Sequence, residues 1–89
     1  MRVKANEIDT FKSTAKEIVE KSQAEAGNIS YTLNQSINDA QDFAMIEIWK
    51  DQAAIDEHNA SEHFTRILPQ IGVLCETSPS IYLYNEVDY

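Results

Sequence analysis

The sequence predicts an α+β fold in which a small antiparallel sheet carries helices on one face. Three observations predict it. Residues 8–22 repeat apolar side chains at helical spacing; residues 29–33 and 43–49 have the alternating or continuous apolar character of neighbouring strands; and a second helical stretch, 52–71, leads to a final β-type run at 81–87. At 89 residues the chain can bury one modest core, so a single domain over 1–89 is expected.

Asn6, with Asp9 three residues later, precedes Phe11, Ala15, Ile18, Val19 and Ser22, which share one stripe of a helix expected from about residue 7 to 25. Gly27 is expected to end it with a positive φ, the conformation common just past a helix. Ile29, Tyr31 and Leu33 then alternate with Ser30, Thr32 and Asn34, the pattern of a half-buried strand. Asn38, Asp39, Gln41 and Asp42 have turn chemistry, and the strand after them makes a hairpin. In that strand Phe43, Met45 and Trp49 point one way, and Ala44, Ile46 and Ile48 the other.

Asp51 and Ser61 are placed to cap two short helical pieces, one with Ala54, Ile55 and His58 inward, the next with Phe64, Ile67, Leu68 and Ile71. Pro69 lacks an amide hydrogen and disfavours helix at Leu68, so a kink or break is expected there. A last strand is expected over Ile81 to Val87.

The chain carries 15 acidic against 7 basic residues, a net charge of −8, which repels phosphate backbones and anionic lipid surfaces. Neither nucleic acid nor membrane is an expected partner. Cys75 is the only cysteine, so no intrachain disulfide forms, and no zinc-type Cys and His spacing is present. A reducing cytoplasm fits this, and the N-terminal residues show no apolar run of signal-peptide length. Two strands without a polar face, in a chain whose helices cover one side of the sheet, leave an apolar surface of several hundred Å² that a second copy would cover. A two-fold homodimer is therefore expected.

Three segments in order, AEAGNISYTL, MIEIWKDQAAIDEH and SEHF, resemble the antibiotic biosynthesis monooxygenase domain family, small dimeric α+β barrels that include cofactor-independent quinol and anthrone monooxygenases. The resemblance runs from Val3 to about Val87 and rests on E-x-G-N, I-E-x-W and H-x-x-S-x-H-F taken together. It implies a ferredoxin-like antiparallel sheet with helices on one face and a partner sheet closing a dimeric barrel. It also implies a full strand before the first helix, whereas only Met1 to Lys4 precede it here, fewer than the usual five or so. The first strand is therefore expected to be truncated.

The only tryptophan and both histidines lie between Ile46 and Phe64. His58, on the inward face of its helix, is placed to take a proton from a phenol or quinol; the plain alternative is a hydrogen-bonded core histidine. Trp49 offers a flat surface and an indole N–H to a substrate oxygen, or simply fills core. Glu47 shares a face with Met45 and Trp49, where a carboxylate needs a partner such as His58 or His63, or a pocket mouth. His58, Trp49 and Glu47 are the candidate catalytic residues; Tyr31, Asn28, Met45, His63 and Phe64 are candidate substrate contacts. His63 is as well suited to bracing the helix, and Asn28 to following the glycine.

The chemistry the resemblance implies is oxygenation of a small aromatic quinol- or anthrone-like substrate by O2, with no cofactor and no metal. A dry aromatic cavity, a base and oxyanion donors are what such a reaction asks of a protein. The alternative is a domain that binds a small molecule, or dimerises, without turnover. Haem-degrading relatives carry a tryptophan at the position of His58, an iron-ligating histidine near Leu68 and an asparagine on the first strand, none of which is found here. Relatives that isomerise phosphorylated signals would want cations at the cavity, and only Lys50 and Arg66 lie near the motif.

Overall fold

The computed structural model describes all 89 residues. After a single 3₁₀ turn at Ala5–Glu7 come helix α1 (Ile8–Gln23), strands β1 (Asn28–Gln35) and β2 (Phe43–Trp49), and helices α2 (Gln52–Ala60) and α3 (Glu62–Val73). β1 and β2 pair antiparallel, with Tyr31 opposite Glu47 and Leu33 opposite Met45, and the register shifts between Asn28 and Ser30.

The first strand is a stub, and it is central. Val3 donates its N–H to the Gln41 carbonyl at 2.8 Å and Phe43 donates to Met1 at 2.9 Å, while on the other side Lys4 donates to Leu74 at 2.9 Å and Glu76 to Arg2 at 2.8 Å. Residues 1–4 thus lie between the start of β2 and the chain leaving α3, the ferredoxin-like order in abbreviated form. Arg2 secures the outer end by reaching Asp39, Glu76 and Gln41 with its guanidinium.

The core lies between the helices and the inner sheet face. Phe11, Ala15 and Ile18 of α1 meet Val3, Phe43, Ile67, Ile71 and Cys75, all buried, with the Phe11 and Phe43 rings 4.8 Å apart. Both expected caps of the later helices form: Asp51 accepts from the Ala54 N–H at 2.8 Å and Ser61 from the Phe64 N–H at 3.3 Å.

Four expectations are corrected. Helix α1 starts without a side-chain cap, because the preceding 3₁₀ turn, in which the Glu7 N–H bonds the Lys4 carbonyl, occupies the residues around Asn6. Gly27 has no positive φ; it is required for space, since a Cβ there would stand 2.3 Å from the Ala54 Cβ. Helix α3 runs through Pro69 without a break. The cost of an interior proline is about 3 kcal/mol, whereas burying Ile67 and Ile71 on either side of it recovers roughly 1.5–3 kcal/mol each. Residues 81–87 form no strand. Pairing with the stub ends at Glu76, and beyond it the tail meets no free edge of its own chain, so Ile81, Leu83 and Val87 stay exposed.

Candidate functional site

The site is built by two long-range contacts of the loop after α1 with α2 and by one short-range joint between α2 and α3. The close approach of Gly27 to Ala54 presses the loop after α1 onto the first turn of α2. One turn along from Ala54, His58 therefore points at that loop, and its Nδ1 lies 2.7 Å from Glu25 Oε2. The Ser61 hydroxyl donates to the His58 carbonyl at 2.6 Å while accepting from the Phe64 N–H, stitching the end of α2 to the start of α3. That joint turns His63 toward the same carboxylate, with Nε2 at 3.1 Å from Glu25 Oε2.

His58 is only 2% exposed. Its ring is enclosed by Trp49, centroid 4.6 Å away, Phe64 at 5.0 Å in an edge contact, Tyr31 at 5.6 Å and His63 at 5.9 Å. A carboxylate only accepts hydrogen bonds, so the Glu25 contacts assign hydrogens to His58 Nδ1 and His63 Nε2. The neutral His58 ring then carries its lone pair on Nε2. That atom is buried and has no hydrogen-bond partner.

Glu47 approaches from the sheet. Its Oε1 accepts the Trp49 indole N–H at 3.1 Å and stands 3.8 Å from His58 Nε2, beyond hydrogen-bond reach. Partial burial raises its carboxyl pKa, the Glu25 charge adding to this while the Trp49 N–H and His58 work against it. Burial, reinforced by the Glu47 charge, also raises the Tyr31 phenol, which therefore stays protonated.

A cavity of about 1090 Å³ opens on this group, lined among others by Tyr31, Met45, Glu47, Trp49, His58 and Phe64. Six of the eight candidate residues thus converge. His63 sits behind His58 on Glu25, bracing it, and Asn28 is set at the register shift, its side-chain amide donating to the Ser30 and Ile48 carbonyls at 3.0 and 3.3 Å. For Glu47, expected to meet a histidine or to sit at a pocket mouth, the structure gives a place on the cavity wall, a hydrogen bond from Trp49 and His58 Nε2 at 3.8 Å. Lys50 also borders the cavity, whereas Arg66 is held on the surface by Glu17 and Glu62.

Glu25 is the residue that sequence reasoning missed. It precedes Gly27 by two residues and is the first member of the E-x-G-N motif, which carried the resemblance without assigning the carboxylate a role. Glu25, His58 and His63 are also the one place where three donors suited to a metal converge, their ligating atoms all within 4.8 Å of one another.

The family model described as antibiotic biosynthesis monooxygenase matches residues 1–70. The chain belongs to this family. A curated relative, "Putative monooxygenase YcnE" of Bacillus subtilis (strain 168), is 39% identical over 64 residues, covering 72% of this chain and 67% of its own. Among solved structures, an antibiotic biosynthesis monooxygenase is 34% identical with a TM-score of 0.91, over 98% of this chain and 92% of that one. A conserved protein from Methanosarcina mazei Go1 is 28% identical with a TM-score of 0.94, over 97% and 85%. The ferredoxin-like α+β fold and the family expected from the three sequence segments are thereby borne out, and membership assigns a general monooxygenase-like function. No helix is long and apolar enough to cross a membrane.

Proposed function

We propose that the protein is a cofactor-independent monooxygenase acting on a small phenolic substrate of quinol or anthrone type. The observation that carries this reading is His58 Nε2: buried and without a hydrogen-bond partner, on a ring that lines an aromatic-walled cavity while Nδ1 is held by Glu25. A base oriented through its far nitrogen by a carboxylate is the arrangement that makes imidazole an effective proton acceptor.

His58 Nε2 takes the phenolic proton, and the resulting anion, enclosed by Trp49, Tyr31 and Phe64, passes one electron to O2. Recombination of the radical pair forms a carbon–oxygen bond, and proton return gives a hydroperoxide. Loss of water leaves one oxygen on the substrate as a carbonyl, and all four electrons come from the substrate itself. Tyr31, whose hydroxyl stays protonated and whose ring stands 5.6 Å from that of His58, supplies a donor to the developing oxyanion.

The test is oxygen consumption by metal- and flavin-free protein against a panel of hydroquinones and anthrones. His58→Ala is expected to lower turnover by about 10²–10⁴ with ligand affinity retained, and His58→Gln, closer in volume, guards against a folding defect. No oxygen uptake by the wild type would remove the reading; binding without turnover, altered only in affinity by the variants, would make the domain a small-molecule binder.

A further inference from the structure

We propose that Glu25, His58 and His63 form a site for a divalent transition metal of the zinc type, and that its occupation is incompatible with His58 acting as a base. The donor set is one carboxylate and two imidazoles, drawn from the loop after α1, from α2 and from α3. The atoms concerned are Glu25 Oε2, His58 Nδ1 and His63 Nε2, with Nδ1 and Nε2 at 2.7 and 3.1 Å from the same oxygen. Ligands bonded at about 2.0–2.2 Å to one tetrahedral ion stand about 3.3–3.6 Å apart, so both imidazoles draw back from Glu25 Oε2 to seat it, within a cluster whose ligating atoms already lie within 4.8 Å of one another.

Access and charge favour it. His63 and Glu25 side chains are 13% and 18% exposed and neither lines the cavity, which leaves a way in from the surface, and the chain's net charge of −8 draws cations. The hydrogens that the neutral imidazoles give to Glu25 shift to their far nitrogens, His58 Nε2 and His63 Nδ1, as the metal takes the lone pairs on His58 Nδ1 and His63 Nε2.

The consequence for the neighbouring cavity follows from the two nitrogens of one ring. When Nδ1 holds a metal, the neutral imidazole must carry its hydrogen on Nε2. The cavity would then face an N–H donor, with Glu47 Oε1 at 3.8 Å placed to accept it after a small shift. The base is gone, although the cavity is intact. This second step rests on the proposed function; the metal site does not.

Metal-stripped protein titrated with Zn²⁺ in a calorimeter is expected to bind one ion per chain, and Co²⁺ to give the visible bands of a tetrahedral complex. Glu25→Gln and His63→Ala, checked for folding by circular dichroism, should each weaken binding at least 10-fold, while Glu20→Gln, which alters an exposed carboxylate of α1 paired with Lys16, should leave it unchanged. Absence of binding, or binding indifferent to both Glu25→Gln and His63→Ala, overturns the site. Nitrogen-15 NMR of the imidazoles reads the second step without reference to turnover: the His58 hydrogen should move from Nδ1 to Nε2 on adding Zn²⁺, and a hydrogen that stays on Nδ1 overturns it. Oxygen uptake, where the wild type shows it, should fall with metal occupancy. A rise in uptake on loading with Zn²⁺ or Fe²⁺ would overturn the exclusion, whereas a wild type without uptake refutes the oxygenase reading and leaves the calorimetry and NMR to decide the site.

Discussion

Gly27 is buried against Ala54 so closely that a Cβ on it would stand 2.3 Å from the Ala54 Cβ, a separation that real atoms do not adopt. With no positive φ at this position, what glycine supplies is room. Gly27→Ala is therefore expected to destabilise the fold by about 1–3 kcal/mol, the usual range for overpacking, read as a lower midpoint in denaturant. The same substitution pushes the loop off α2 and so lengthens the Glu25–His58 contact, and the His58 Nδ1 hydrogen should lose its strongly hydrogen-bonded NMR resonance. A variant as stable as the wild type with that resonance unmoved would show that the approach is not what positions the pair. The individual residues were unevenly legible from sequence. Strand alternation placed Met45, Glu47 and Trp49 on the cavity side and helix spacing turned His58 inward, because both periods are local. Glu25 lies 33 positions before His58, and no local period connects them.

Helix α3 shows why element boundaries were less legible than element types. Pro69 disfavours helix within its own turn, yet Ile67 and Ile71 gain their burial from α1 and the sheet, contacts that a local reading does not contain. The side chain of Pro69 itself is exposed, so little packing depends on it. Pro69→Ala should consequently restore an N–H to the helix without opening a cavity, and raise stability by about 1–2 kcal/mol after allowing for the more flexible unfolded chain. Thermal unfolding measures this; a lower midpoint would mean that the proline serves the packing of α3 in a way its exposure does not show. Residues 81–87 are the opposite case. Their composition is that of a strand, but a strand is a relation between two segments, and the four-residue stub offers this one no remaining edge.

At the scale of the whole molecule, two surfaces are left over. On the outer face of the sheet Ile46 and Ile48 are 55% and 52% exposed, Ile29 at the register shift is 65% exposed instead of half-buried with Tyr31 and Leu33, and the tail presents Ile81, Tyr82, Leu83, Tyr84 and Val87 to solvent. Part of the tail also borders the cavity beside β2, so whatever fixes the tail also decides how dry the cavity is. A second copy related by a two-fold axis would supply both needs at once, an apolar face for the sheet and backbone partners for the tail, with each copy giving what it receives. The expected species in solution is thus a dimer of the 10.1 kDa chain, measurable by sedimentation equilibrium. Ile46→Lys combined with Ile48→Lys places like charges opposite one another across the axis and should drive the protein to monomer while leaving its far-ultraviolet circular dichroism unchanged, since neither side chain is in the core. Oxygen uptake should fall with the loss of the dimer, because the freed tail no longer keeps water from the anion formed beside His58. A wild type that sediments as a monomer at tens of micromolar, or a double variant that still pairs, would show that the outer face is not where two copies meet.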